Sequence, residues 1–432
     1  MSLPWLAGIW LVAGVAAGLF GRGPHSRRAA ALISLAVLAV ACALTERVGA
    51  TPHPLSGASP ALSREGAGLL TASAVALWLC LLLADRIEGR EVLMLGAAGG
   101  AVALLLGAGS PLLLGVAAVL AVAALTLRWL AVAPGRAGLA AGRVAGTGAA
   151  ALLAASVFLP VTAPGSTGAP AVGMAAGLIG AGVVALAGLV PLGGWVAGAM
   201  GVLAPTEAAA WLVLVVPATL VASGALTGAL PLVGRLAVEH TLLVCGLISA
   251  VWAGLQAIRA RSGARISAGD DPAARRRRAA PQYRRLALGD VALVAVGIGT
   301  GQAVGITGGL LIILTHLVVA PLLLQLPRGG VGWPRRLLWL ALSGVPPAPS
   351  FWGRVLVLRA CAGFGGSATL FCLIALGLLT LASLLAVTRA DPPAGDRAPL
   401  PQVVAAWGLA GAAVAVAVAP MTLVHMVFGG GA

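Results

Sequence analysis

Apolar stretches of about 20 residues follow one another along the whole chain, and each is long enough to cross a lipid bilayer. Of the 432 residues, 60% are hydrophobic and only 9% are charged, whereas soluble proteins have roughly a quarter of their residues charged. The sequence therefore predicts an all-α polytopic membrane protein without a separate soluble domain. The first stretch, 3–20, has no basic start, so it is predicted to be a retained helix rather than a signal peptide.

About fourteen membrane-spanning helices are predicted, with edges accurate to several residues. The predicted spans are 3–20, 29–44, 67–84, 92–107, 111–127, 144–160, 170–203, 208–228, 237–258, 286–301, 305–325, 337–364, 368–388 and 401–428.

The basic residues, all of them arginine, are distributed unequally between the two sets of alternating loops. One set carries only Arg47, Arg64 and Arg235, and the other carries most of the rest. Because cytoplasmic loops are enriched in basic residues, the rich set is predicted to be cytoplasmic and both termini to lie outside the cytoplasm. The membrane rule also explains the formal net charge of +15, so no nucleic-acid partner is expected.

The loop 259–285 is an arginine-rich insertion of low complexity. Such a charge block is predicted to be a disordered, solvated cytoplasmic loop. Binding of anionic lipid or of an acidic partner subunit is the alternative interpretation.

Two of the predicted spans contain prolines that forbid a continuous helix. The span 170–203 is predicted to break near Pro191, and the span 337–364 at Pro346 and Pro347. Inside a membrane, a broken helix persists only where protein or a water-filled cavity satisfies its backbone. Two interrupted helices in corresponding halves of a chain are typical of transporters built from repeats.

Arg354 and His316 are the strongest candidates for a functional site, since charged side chains within membrane helices are costly. Arg354 follows the second break, where it could act in an ion pathway or could be paired to stabilise the break. Because arginine does not deprotonate in proteins, it cannot itself pass a proton. His316 could carry a proton, for which its pKa range is suited, or could be a hydrogen-bonded packing histidine.

Further candidates for a proton pathway are Glu239, His240 and Asp290. For Glu239 and His240, an outer-side ion pair with Arg235 is the favoured interpretation over a proton exit. Asp290 is predicted near the cytoplasmic end of its span, where a salt bridge with Arg285 is favoured over a role in proton entry. Glu207 is predicted to stabilise a helix start through the helix dipole.

No cofactor or metal motif is found in the sequence. The five cysteines have neither metal-ligand nor disulfide spacing, and they are interpreted as small buried apolar residues. No glycine-rich phosphate loop follows a predicted strand.

Four segments, in order, resemble motifs of the antiporter-like membrane subunits of respiratory complex I, a family also found in membrane-bound hydrogenases and cation/proton antiporters. They are VPLGGWVAGAMGVLAPTEAAAW from Val190, GLQAIRARS with QYRRLALGDVALVAVGIGT, GGLLIILTHLVVAPLLL around His316, and SGVPPAPSFWGRVLVL from Ser343.

The resemblance implies fourteen helices that include inverted five-helix repeats with two broken helices. It divides the chain into N-terminal helices (1–90), a first antiporter-like repeat (91–230), a second repeat containing the arginine-rich loop (231–390) and a C-terminal helix (391–432). It also implies partner membrane subunits, with any quinone or iron–sulfur clusters held by partners, so that this chain has no catalytic residues of its own.

The chain departs from the family in its first half, where the family carries a row of charged residues. The fifth span has no acidic residue, and Leu186 and Ala218 occupy the expected lysine positions. Gly193 replaces the histidine of the first break motif. The resemblance implies a membrane subunit of a complex-I-like oxidoreductase in a bacterial inner membrane that contributes to proton translocation or, since most of the channel charges are missing, to assembly of the membrane arm. The alternative is a membrane subunit of a cation/proton antiporter or an inorganic-carbon transporter.

Overall fold

The computed structural model describes most of the central part of the chain. The described residues are 29, 69, 72–76, 89–106, 111–132, 136–158, 169–196, 207–208, 211–228, 230–260, 281–325, 332–346, 348–388, 403–404, 407–408 and 411. The predicted spans 3–20, 29–44, 67–84 and 401–428 lie largely or wholly outside these residues, as do Pro347 and the interior of the arginine-rich loop.

Every regular element in the described ranges is a helix, as predicted. In chain order they are α1 (Gly89–Leu106), α2 (Pro111–Val132), α3 (Arg136–Phe158), α4 (Ala169–Leu186), a π-helical turn (Trp211–Val215) that continues into α5 (Val216–Gly228), α6 (Leu232–Arg259), α7 (Pro281–Gly299), α8 (Ala303–Gln325), α9 (Gly332–Ser343), α10 (Pro349–Phe364) and α11 (Gly366–Thr388).

Several helices begin earlier than the apolar stretches predicted. Helix α3 starts at Arg136, α7 at Pro281 and α9 at Gly332, each before its predicted span. The additional turns contain arginines, which are good helix formers but do not count as apolar in a sequence pattern. The edge of an apolar stretch therefore does not coincide with the end of its helix.

The helices pack as neighbours in the order of the chain, with some longer-range contacts. Helix α6 contacts α7 most extensively and also packs on α4 and α11, while α8 packs on α10. Small residues allow the closest approach: a Cβ added to Gly308 of α8 would lie 2.7 Å from the carbonyl oxygen of Gly353 in α10. Such small-residue contacts are typical of helices that pack within membranes.

Three described helical segments are long and apolar enough to cross a membrane: Leu139–Phe158, Leu232–Arg259 and Gly366–Thr388. Several other apolar helical segments are shorter, among them Pro170–Leu186 and Ala303–Leu317. The length and composition of the three long segments are those expected of membrane spans.

Candidate functional site

The first break follows α4, as the sequence predicted near Pro191. The helix ends at Leu186, and Gly188 has φ +68°, a backbone conformation that favours glycine. Two long-range hydrogen bonds fix the break. The Trp195 indole Nε1–H donates to the Ala185 carbonyl at 2.9 Å, and the Val190 amide donates to Ser249 Oγ of α6 at 2.7 Å.

We expect Ser249→Ala to destabilise the protein by about 1–3 kcal/mol, since the Val190 amide would lose its hydrogen-bond acceptor on α6. Ser223→Ala is the matched control, because the buried Ser223 hydroxyl donates only to Leu220 of its own helix. Thermal unfolding of the detergent-solubilised variants measures the difference. Equal midpoints for the two variants would show that Ser249 does not hold the break.

The second break separates α9 from α10 at Gly344–Ala348, as predicted at Pro346. Gly344 has φ +69°, nearly the value at Gly188. The Gly344 amide donates to Ser350 Oγ at 3.0 Å, and that hydroxyl donates to the Ala341 carbonyl at 2.7 Å.

Arg354 of α10 completes the hydrogen bonding of this break. Its Nη1 donates to the Ser343 carbonyl at 2.7 Å, and its Nη2 donates to the Leu342 carbonyl at 2.9 Å. These carbonyls belong to the last turn of α9, where they have no partner within the helix. A cation at a helix C-terminus also interacts favourably with the helix dipole. The side chain is buried, with 3% of its surface exposed.

The same guanidinium forms an ion pair with Asp290 of α7. Nη2 of Arg354 lies 3.0 Å from Asp290 Oδ1, and the carboxylate is fully buried. The other carboxylate oxygen, Oδ2, lies 2.8 Å from His316 Nε2 of α8. Asp290 therefore joins the two residues that the sequence singled out separately.

Tyr283 extends this cluster by one further group. Its hydroxyl lies 3.2 Å from His316 Nδ1, and it sits seven residues before Asp290 on α7. The four residues Tyr283, His316, Asp290 and Arg354 are called the buried polar cluster below.

The hydrogen bonds of the buried polar cluster suit two protonation states of its histidine. When His316 is neutral, Nε2–H donates to Asp290 and Nδ1 accepts from the Tyr283 hydroxyl. When His316 is protonated, both nitrogens donate, and the tyrosine oxygen accepts. Arg354 and Asp290 compensate each other's charge in both arrangements.

Of the two salt bridges predicted from the sequence, the structure contains one and not the other. The ion pair of Arg235 and Glu239 is present, with Arg235 Nε 2.7 Å from Glu239 Oε1. The predicted salt bridge of Asp290 with Arg285 is wrong: Arg285 donates to the Gln256 carbonyl at 2.9 Å. Asp290 lies nine residues into α7, about 14 Å along its axis at 1.5 Å per residue, and is therefore well inside the bundle.

The structure does not bring Glu239 and His240 to the buried polar cluster. The Glu239 carboxylate lies beside Gly301, in the turn that follows α7. This turn is at the C-terminal end of α7, whereas Tyr283 is at the N-terminal end. His240 is exposed and makes an edge-on contact with Phe364, with ring centroids 5.2 Å apart.

The first half contains no equivalent cluster at the family's lysine positions. Leu186 and Ala218 are both buried apolar residues. Along α5, the buried hydroxyls of Thr219, Ser223 and Thr227 donate to carbonyls of their own helical turns. Glu207, predicted to stabilise a helix start, is helical and fully buried.

Sequence reasoning did not identify Tyr283, Ser249 or Ser350. For Tyr283 a signal existed, because it is the single tyrosine of the chain and its spacing of seven from Asp290 places both on one helix face. For the two serines no local signal existed, since a serine in a helix can equally bond its own backbone.

The described residues contain no group of three or more histidine, cysteine, aspartate or glutamate side chains arranged to hold a metal ion. The buried polar cluster offers one histidine and one carboxylate, and the guanidinium already occupies that carboxylate.

Known proteins that resemble this chain were found by comparing structures and not by comparing sequences. No family model matches the sequence, and no curated protein matches it. A chain of the membrane-bound sulfane sulfur reductase, an archaeal respiratory membrane complex, is 15% identical with a TM-score of 0.82, over 98% of this chain and 96% of that one. A chain of respiratory complex I from Thermus thermophilus is 17% identical with a TM-score of 0.76, over 99% and 97%.

A chain of the Mrp complex from Dietzia sp. is 15% identical with a TM-score of 0.75, over 99% of this chain and 96% of that one. The three likenesses span nearly the whole length of both chains, which confirms the resemblance inferred from the four motifs. At such low identities they establish the fold, and this chain has the fold shared by membrane subunits of complex I, of the Mrp complex and of the sulfane sulfur reductase.

Proposed function

We propose that this chain is an antiporter-like membrane subunit of a complex-I-like redox complex in a bacterial inner membrane, and that its second half alone retains a proton site. The buried polar cluster carries this proposal. It places a titratable imidazole between a tyrosine hydroxyl and a carboxylate whose charge is already compensated. Burial alone would disfavour the charged forms of Arg354 and Asp290. The ion pair between them offsets this cost inside the helix bundle.

In this proposal the residues of the cluster have separate roles. His316 binds and releases the proton, since it is the member whose ordinary pKa is closest to neutral. Asp290 orients the imidazole and stabilises its protonated form, and Arg354 keeps Asp290 ionised. Tyr283 serves as the neighbouring hydroxyl through which a proton reaches or leaves Nδ1.

The first half is proposed to support assembly of the membrane arm rather than proton transfer. A proton passing Leu186 and Ala218 would leave charge among apolar side chains, which costs several kcal/mol. The two breaks support the proposed repeat, because each begins with a glycine at φ near +69° followed closely by proline. Electron transfer, quinone and iron–sulfur clusters would then reside in partner subunits.

The alternative function is that of a membrane subunit in a cation/proton antiporter or an inorganic-carbon transporter. The likeness to a chain of the Mrp complex, with nearly the same coverage as the likeness to complex I, favours keeping it. A proton site in one half of the chain is equally consistent with this alternative. The two proposed functions are therefore distinguished by the subunits with which the chain assembles.

Purification of the affinity-tagged chain from its native membrane in mild detergent tests the proposal. We expect co-purification of oxidoreductase subunits together with other membrane subunits, identified by mass spectrometry. Other antiporter subunits without a redox module would establish the alternative. A chain that purifies without any partner, and transports no protons in liposomes, would contradict both.

A further inference from the structure

A cavity of about 550 Å³ lies beside the first break, between that segment and helices α6 and α7. Its walls are formed by Gly188, Pro191 and Gly194 of the break, by Trp252 of α6 and by Leu288 of α7. The lining is mainly apolar. Its volume falls in the range of roughly 300–1,000 Å³ that is usual for small-molecule sites.

The cavity opens on a side of the bundle that carries exposed apolar residues. Ile248 and Trp252, two of its lining residues on α6, are 48% and 53% exposed. In a membrane-spanning helix such residues face the hydrocarbon of the bilayer. A ligand would therefore enter sideways from the membrane.

One arginine, Arg285, lies in the lining of this otherwise apolar cavity. Its guanidinium makes one hydrogen bond, to the Gln256 carbonyl, and in the described part of the chain it forms no ion pair. The neighbouring Arg284 is buried, and its Nε and Nη2 have no hydrogen-bond partner among the residues that the structure describes. Both arginines lie in the first turns of α7, where the helix dipole adds further positive potential.

We propose that this cavity binds an anionic phospholipid, with its phosphate on Arg285 and an acyl chain between the first break and Trp252. A phosphodiester accepts charge-assisted hydrogen bonds from a guanidinium, and an acyl chain matches the apolar walls. A neutral amphiphile would leave the positive charge uncompensated. An acidic protein segment would leave the apolar interior unfilled. This inference is independent of the proposed proton site, which lies on other faces of α7.

Native mass spectrometry of the purified protein, titrated with phosphatidylglycerol or phosphatidylcholine, tests this proposal. We expect saturable binding that favours phosphatidylglycerol, and Arg285→Gln should weaken phosphatidylglycerol binding about tenfold, as expected for loss of a charge-assisted contact. Arg359→Gln is the matched control, because Arg359 is exposed on α10, a helix that contributes no residue to the cavity lining, and it should change binding less than twofold.

A second variant tests the cavity itself. A Cβ added to Gly194 meets no atom within 4 Å, so Gly194→Leu fills the cavity without a backbone clash and should weaken binding of both lipids. Gly177→Leu is its control, since a Cβ added to Gly177 of α4 also meets no atom within 4 Å. Phosphatidylglycerol binding that survives both Arg285→Gln and Gly194→Leu overturns the proposal. So does the absence of saturable lipid binding, which would assign the arginines to an acidic partner segment instead.

Discussion

Arg354→Met is expected to destabilise the protein by about 3–5 kcal/mol, the usual effect of leaving one buried charge of an ion pair without its partner. Asp290 would remain fully buried without its counter-charge, and the Leu342 and Ser343 carbonyls would lose their donors. The amount of folded, assembled protein in the membrane and its thermal midpoint in detergent measure this loss.

Two further variants separate the contributions of Arg354. Arg359→Met, five residues along the same helix, is the matched control, because Arg359 is exposed and should change stability by less than about 0.5 kcal/mol. The double variant Arg354→Met with Asp290→Asn should recover part of the loss, since no unpaired charge then remains. A stable Arg354→Met protein that transports protons normally would remove Arg354 from both its structural and its electrostatic role.

His316→Gln is expected to abolish the proton translocation of this subunit while the complex still assembles. Glutamine retains an amide N–H that can donate to Asp290, but it does not titrate. If this subunit is the only proton-translocating one in the complex, the loss should be complete. If others are present, the number of protons moved per electron should fall by this subunit's share.

Proteoliposomes containing the purified complex and a pH-sensitive dye measure this effect. His316→Ala should give the same loss of translocation, with some additional loss of stability from the cavity it creates. Thr315→Val is the control, because the adjacent Thr315 hydroxyl is buried and donates only to Leu311 of its own helix. Unchanged translocation in His316→Gln would show that the histidine serves packing alone.

Local sequence signals predicted the helical class and both breaks, because proline acts on the backbone near its own position. They also singled out His316 and Arg354, since polar groups are rare in apolar stretches. What connects these two residues could not be predicted in this way. Asp290 was assigned to a loop edge because the apolar stretch appeared to begin at residue 286, whereas α7 begins at Pro281 and carries the carboxylate deeper.

The contacts that cross between helices were equally invisible in the sequence. Ser249 bonds a backbone amide 59 residues away, and Arg354 bonds a carboxylate 64 residues away. Neither partner follows from spacing along one helix, because both depend on which helices become neighbours. The cavity beside the first break also depends on helix packing, since its walls come from three separate segments of the chain.

The hydrogen bonding of the second break has a mechanical consequence. Arg354 connects the end of α9 to α7 and, through Thr380 at 3.2 Å, to α11, so four helices meet at one guanidinium. Bending the chain at this break would require the bonds from Arg354 to the end of α9 to separate. The second break is therefore cross-linked to its neighbouring helices, and we expect it to move less than a break without such bonds.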